Sequence, residues 1–553
     1  MTMMKLSLSQ LTNVIHNVSW SCIWLYNLSV ICMGLVVIIA SIVWREWTIA
    51  HYNLQGPPST HWFYGNLQAL LNAPTGTLQA RWISEYGPVF AFTSIFRRPE
   101  IMITDPHTIG YIYNHPERFD RAISAKKILR YLTGHSVIAV DEPDHRRMRK
   151  AILPSFAPAH IKELMPIFFQ KTYELKDRLL DRLSDDRAEV DATKYISETT
   201  VDIVGLGGFS YDFEALSSEG NELLQAWTKL RDGIMTRNWV SMLQFAGVPG
   251  ANWFGYFTKR QKGARAARDA MFSVGERLVQ EKKRLVLAET RGEIKKVDVQ
   301  GMDLLTVLVR ANMASDVRSE QHLSDDELIS QIPLFLLAGN ATTTMALTWS
   351  LVVLAKNAQI QDELRADCMS LANEQPSLDQ LNSLPYLEAF IRELLRVYPS
   401  TPAQVRVVTK DEVLPLSTPV RSREGRMMDV VHVKKGTGLT LALFNVHMST
   451  ELFGPDAAEF RPERWLDPGM NEKVKKIPGM WANLLTFGGG DRSCIGFRFA
   501  IAEMKAVLFT LIRHMAFEET EEKPEVVRVG GLGISRPVIP GRDDIPIVIR
   551  RLA

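Results

Sequence analysis

The ten residues Phe487 to Gly496, FGGGDRSCIG, constrain this chain more than any other stretch of its 553 residues. They set Cys494 among glycines, with Arg492 two residues ahead of it. A thiolate is a soft, electron-rich metal ligand, and here backbone amides can approach it with little side-chain bulk in the way. Gly488, Gly489 and Gly490 predict a tight turn, because glycine adopts backbone angles that other residues resist. A buried cysteine in a glycine-rich loop is the ordinary alternative, since free cysteines are commonly buried. A Cys-Gly pair alone would deserve that reading. A phenylalanine, an arginine and glycines held at fixed distances from one cysteine ask for more.

Three further motifs lie upstream. In LEAFIRELLRVYP the apolar residues recur at helical spacing until Pro399 stops the run. Glu393 and Arg396 then share one helix face, and an isolated pair of this kind is usually a surface ion pair of little worth. Arg464, in FRPERW, is a second basic candidate for Glu393. The stretch SQIPLFLLAGNATTTMALTWSLVVLAK predicts a long apolar helix, with Ser324 and Glu327 as a capping box at its start. Gly339 inside it costs about 1 kcal/mol against alanine, which points to a close approach or a local opening. Small residues in a buried helix are otherwise simply good packing. Lastly, DEPDHRRMRKAILPSF places His145 and Arg149 on one helix face, the alternative being a solvated basic helix.

The order and spacing of all four motifs resemble the cytochromes P-450, the haem-thiolate monooxygenases. The resemblance implies a mainly α fold with small β-sheets, preceded by one N-terminal transmembrane helix, and it covers the chain from about residue 56 to the end. It implies haem b (iron protoporphyrin IX) with Cys494 as the axial iron ligand, within a loop formed by Phe487, Gly488 and Gly496. Arg492, His145, Arg149 and Arg406 become candidates for the haem propionates. Gly339 becomes the close-approach point on the oxygen side, and Thr342 the hydroxyl that helps deliver protons. Relatives usually carry Asp or Glu immediately before that threonine; this chain has Ala341. The relay is therefore incomplete: either Asn340, Thr343 or ordered water takes over, or the enzyme runs slower or leaks peroxide. Glu393, Arg396 and Arg464 correspond to a buried structural cluster and carry no catalytic role.

Composition enters where partners are concerned. Lys and Arg number 64 against 62 Asp and Glu, so nothing supports nucleic-acid binding. Only four cysteines occur, without disulfide or zinc spacing, which suits a reducing compartment. Residues 22–44 are almost uncharged and long enough to cross a bilayer, and no cleavage motif follows Trp44. They are read as a retained anchor, with residues 1–21 as a short lumenal tail. Residues 45–58 form a linker ending in the hinge Pro57-Pro58, and residues 59–553 the catalytic domain. By the resemblance the anchor is single-pass in the endoplasmic reticulum membrane, with the catalytic domain cytosolic.

Short extended runs are expected near Val89 to Ile103, around Val405 to Leu416, and in the tail PIVIRR. The aromatic stretch Asn238 to Phe257 would open the substrate entrance toward the membrane. The pocket would draw on Ser400 to Gln404, Phe335 to Ala338, Ala122 to Leu132 and Gly531 to Ser535. The second and fourth of these stretches hold no charged residue, which favours a neutral lipophilic substrate. The family implies electrons from NADPH through a cytochrome P-450 reductase, with cytochrome b5 as an optional second donor. The basic run Arg146, Arg147 and Lys150 is the expected docking face. Resemblance to fungal members points to terpenoids or related secondary metabolites. Two rivals stand beside this reading: a reductase-independent haem-thiolate isomerase or peroxygenase, and a non-catalytic haem-binding protein.

Overall fold

The computed structural model describes residues 53–217, 224–225, 259–292, 303–314, 322–529 and 534–552, together with scattered positions between 25 and 44. The aromatic stretch at 238–257, the tail at 1–21 and residues 531–533 lie outside these described residues. Helices dominate, and small sheets pack beside them, as the sequence leads one to expect.

One helix, Asp325–Lys356, runs through the core. Its start is the capping box read from the sequence: Glu327 N–H donates to Ser324 Oγ at 3.2 Å, and Ser324 N–H to Glu327 Oε2 at 2.9 Å. These bonds satisfy amides that a helix start would otherwise leave bare. The helix is apolar on nearly every side, so it is long and hydrophobic enough to cross a bilayer, yet most of it is buried inside the protein. An all-round apolar helix belongs to a core as readily as to a membrane. Gly339 stands where a Cβ would meet Val204 Cγ2 at 2.8 Å, so the neighbouring helix Ala192–Phe209 can approach closely. The helix continues through that glycine without a break.

A five-stranded sheet lies to one side, in the order β1 (Val89–Thr93), β2 (Pro99–Ile103), β8 (Gly438–Leu441), β5 (Gln404–Val408) and β3 (Phe119–Asp120). β2 and β8 run parallel, and the other neighbours antiparallel. Among the described residues three smaller sheets accompany it. They pair β6 (Glu412–Arg421) with β7 (Met427–Val433), β10 (Val527–Val529) with β11 (Arg536–Val538), and β12 (Pro546–Arg551) with β4 (Arg187–Asp191) and β9 (Met515–Glu518). The expected extended runs correspond to β1, β2, β5, β6 and β12. β8 and β3 bring distant chain segments beside β5, and with them Arg406.

Packing of the domain begins ahead of residue 59. Leu54 is fully buried and bridges to Ser422, while Gln55 O accepts from Ala91 N–H at 3.0 Å. A Cβ on Gly56 would lie 1.7 Å from Ala91 O, so only glycine passes here. The end of the expected linker is therefore part of the domain.

Candidate functional site

The cysteine loop is held in shape by glycines that nothing else could replace. Gly488 and Gly490 have φ of +70° and +64°, the left-handed region that disfavours side chains. A Cβ on Gly489 would meet Pro478 O at 2.2 Å, and one on Gly490 would meet Tyr113 O at 2.3 Å. Gly496 differs: a Cβ there would only touch Phe156 at an ordinary 3.5 Å, so no protein neighbour requires glycine. Cys494 N–H donates to Phe487 O at 2.9 Å, closing the loop on itself.

Cys494 stays accessible although protein atoms pack round it, which fits a face turned toward interior space. Burial pushes its thiol pKa up, while the Gly496 amide and the Arg149 charge pull it down. The central helix carries a second accessible patch. Within an otherwise buried stretch, Ala338 is exposed and Thr342 and Met345 are half-exposed, all on one face. Phe156 joins the two, since it packs edge-on against Phe335 with ring centroids 5.5 Å apart and also lies over Gly496. Thr342 Oγ1 donates to Ala338 O at 2.6 Å, which leaves its oxygen free to accept a bond from the cavity side. Ser400 Oγ donates to Thr342 O at 2.8 Å, tying β5's approach to the same turn.

Three guanidinium groups gather beside the loop. Arg492 Nη1 donates to Val140 O at 3.4 Å, Arg121 Nη1 to Ile138 O at 2.8 Å, and Arg406 to Val405 O and Gln404 Oε1. None of them forms a hydrogen bond to a carboxylate of the described chain. Glu142 Oε1 stands 3.6 Å from Arg492, and Arg492 Nε is buried without a partner. Burial, then the charges of Arg406 and Arg492, pull the Arg121 pKa down to about 9. Burial lowers that of Arg406 as well, and Arg492 adds to it. Positive charge in excess of its own counter-ions is the mark of a site for an anionic group. Two propionate carboxylates fit this cluster, and an accessible thiol beside it fits an iron centre.

The other expected propionate residues are placed as follows. His145 is buried, its Nδ1 is 2.9 Å from Glu142 Oε1, and burial followed by the Arg492 charge lowers its pKa to about 4. Burial thus favours its neutral form. Arg149 donates to Ser493 O at 2.7 Å and Ser493 Oγ at 3.2 Å, clamping the residue before the cysteine. A contact to the cofactor would use its remaining donors. Asn340 is buried away from the cavity, its amide donating to Ser197 O and Thr200 Oγ1. Thr343 is buried too, and neither residue lies on the cavity face with Thr342.

Sequence reading missed Arg121 and His447. A single arginine in RFDRA carries no local signal. His447, in FNVHMST, carries none either. In the structure His447 Nε2 accepts from Leu485 N–H at 2.9 Å and its carbonyl accepts from Arg396 at 2.8 Å. It thus links the loop that leads to Cys494 with a second cluster. There Arg396 spends all five donors: on both Glu393 oxygens, and on His447 O, Ala457 O and Glu459 O. Glu393 also accepts from Trp465 Nε1 and Arg461 N–H, with Arg464 Nε at 3.5 Å. The glutamate and both expected arginines are all but wholly buried.

The comparisons decide the family. The model of the cytochrome P-450 family matches residues 55–540. The chain belongs to the cytochrome P-450 family. Cytochrome P-450 monooxygenase 128 of Postia placenta is 34% identical over 511 residues, covering 90% of this chain and 92% of that one. Cytochrome P-450 monooxygenase 205 of the same fungus is 34% identical over 506 residues, with the same coverage. Cytochrome P-450 monooxygenase claP of Ampulloclitocybe clavipes is 31% identical over 516 residues, covering 90% and 93%. A P-450 monooxygenase needs haem, and the cationic cluster and accessible Cys494 fit that cofactor.

One expectation about partners needs correction. Arg147 donates to both Glu327 oxygens, one at 2.5 Å and one at 3.1 Å, and also to Asp144 and His322 O. It pins the His145 helix to the start of the central helix and is largely covered. Of the expected docking run, Arg146 and Lys150 are the exposed members.

Proposed function

We propose that this protein is a membrane-anchored P-450 that inserts one atom of O2 into a C–H bond of a neutral, lipophilic small molecule of terpenoid or related type. Electrons come from NADPH through a cytochrome P-450 reductase. The observation that carries the reading is the pairing of an accessible Cys494 with three arginines, Arg406 buried and Arg121 and Arg492 partly so, that lack hydrogen-bonded carboxylates.

Haem ligated by Cys494 would supply oxygen activation, since a thiolate pushes electron density toward O–O cleavage. The chain's own residues do the rest. Arg121, Arg406 and Arg492 hold the two propionates, and Arg149 fixes Ser493 so that the thiolate keeps its direction. Ala338 offers a methyl group and no charge to the substrate, which selects apolar molecules. Thr342 receives protons from the cavity side and passes them on at its Oγ1. With Ala341 in place of an acid, the proton source lies elsewhere than the preceding side chain. The anchor reading gains support from the apolar helix Leu25–Gly34, where Leu25, Tyr26, Leu28, Val30 and Met33 are all exposed. An apolar helix whose described large side chains are exposed finds its cover in lipid.

The full-length protein, expressed in membranes, tests this directly. Its reduced carbon monoxide complex should show the red-shifted band of thiolate ligation, and Cys494→Ser should abolish it. Turnover should need NADPH and reductase. Peroxide-only turnover would favour the reductase-independent rival instead.

A further inference from the structure

The central helix is weakened where its accessible patch lies. Gly339 brings no side chain and lowers helix stability. Thr342 turns its hydroxyl back onto Ala338 O at 2.6 Å, a kind of bond that loosens and bends a helix. Ser400 Oγ takes hold of the Thr342 carbonyl from outside at 2.8 Å. Each of these favours opening of the same turn, yet the helix runs through it without a break.

A compensating set of contacts lies on the far side. Asn340 and Thr344 stand two residues before and after Thr342, which at about 100° per residue sets both on the face opposite it. They are all but fully buried, and so is Thr200 of the neighbouring helix Ala192–Phe209. Asn340 Nδ2 donates to Thr200 Oγ1 at 2.8 Å and to Ser197 O at 3.0 Å. The hydroxyls of Thr200 and Thr344 share a further hydrogen bond at 2.7 Å. Asparagine is a poor helix residue because its amide competes for nearby backbone. Here that amide reaches the next helix instead. One threonine hydroxyl therefore ties two successive turns of the central helix to its neighbour. The same helices also meet at Gly339, where a Cβ would run into Val204.

Aliphatic side chains would fill this interface with no polar atom to satisfy. What a fully bonded polar set adds is direction, since it allows one rotation and one register of the two helices.

We propose that Asn340, Thr200 and Thr344 form a clamp that holds the central helix from behind, and that through it Asn340 is a positioning residue for Thr342. The clamp keeps the Ala338–Thr342 turn closed and the Thr342 hydroxyl in one orientation toward the accessible side. Asn340 serves that side by position and not as a proton carrier. The inference rests on the proposed monooxygenase reading, which gives Thr342 its task.

The test uses the full-length haem-loaded protein with Asn340→Leu, Thr200→Val, their double variant, and Thr200→Ser, which keeps the hydroxyl. Amide hydrogen exchange of residues 338–344 should run roughly fivefold faster in either of the first two, as expected when a buried hydrogen bond is lost. The double variant should exchange no faster than the singles, because residues of one network are not additive. The C–O stretch of the reduced carbon monoxide complex should broaden in the same variants and regain its wild-type shape in Thr200→Ser. Neither readout needs turnover, so both are separable from failure of the monooxygenase reading, which the Cys494→Ser spectrum reports. Faster exchange beside an unchanged C–O stretch overturns the positioning role and leaves packing alone. Unchanged exchange, or effects that add in the double variant, overturns the clamp itself. Should Asn340→Leu not fold, Thr200→Val and Thr200→Ser decide by the same two measurements.

Discussion

Two arginine clusters, one buried and one partly so, flank the loop that carries Cys494, and they treat charge in opposite ways. Around Glu393 the chain completes its own electrostatics: Arg396 uses every donor on a carboxylate or a carbonyl, and Arg464 is paired with Asp456 as well. Around Arg492 it does not, because Arg121 and Arg406 find only backbone and amide oxygens. A closed cluster is a structural part, stable by itself. An open one is a binding site whose counter-charge arrives with a ligand. Buried charge by itself therefore distinguishes nothing; whether a carboxylate of the chain accepts from it does.

The largest effect should come from breaking the closed cluster. Glu393→Ala would strand Arg396 and Arg464 in the core, and removing one partner of a buried pair costs about 3–5 kcal/mol. Loss of most folded protein, measured as the yield of intact carbon monoxide complex, is the expected result. A well-folded variant would show that the cluster is not closed after all.

Acid should reveal the next effect. His447 is fully buried, and burial followed by the Arg396 charge holds its pKa at about 3. A pKa depressed below the unfolded value near 6.5 means the folded state resists protonation, so stability is present above that pH and is lost as pH falls toward about 3. Between pH 6.5 and pH 5 the loss is about 2 kcal/mol, at 1.36 kcal/mol per pH unit. Melting curves at pH 7 and pH 5 should show His447→Leu with a smaller drop than wild type, even though it starts lower for want of a partner to Leu485 N–H.

The open cluster should respond with the opposite sign. Arg406→Leu relieves repulsion among three guanidinium groups, so the haem-free protein should gain about 1 kcal/mol. Haem retention should fall roughly tenfold, the equivalent of about 1.4 kcal/mol. Haem transfer to an acceptor protein and melting of the haem-free form measure the two halves. Both moving the same way would mean that this cluster is structural like the first.

The smallest effect lies on the surface. Arg146→Glu combined with Lys150→Glu should slow reduction by reductase at low salt and leave the spectrum intact, because exposed charge steers encounter and is screened within about 8–10 Å. Arg147 is left out of that pair because Glu327 already engages it. Stopped-flow rates equal to wild type at low salt would remove this face from consideration.

The signals legible in the chain were local ones. Ser324 and Glu327 sit three residues apart and formed their capping box; Gly488 and Gly490 needed left-handed angles and took them. Glu393 and Arg396 are one helical turn apart, and their pairing followed. In each case the interacting groups are close in sequence, so short-range stereochemistry decides the outcome.

What the sequence by itself determined, then, is the family, the mainly helical architecture and the loop that presents Cys494, because fixed spacing along one segment dictates which groups share a turn or a helix face. Only the tertiary structure decided which charges are complete and which are left over. Arg121 reaches Arg406 and Arg492 from a distant segment; His447 joins the closed cluster to the loop; Arg147 is taken by Glu327; Asn340 finds Thr200 on another helix. Pairing across the core depends on how helices and strands stack, and burial sets the cost of an unpaired charge. Neither quantity exists until the chain has folded.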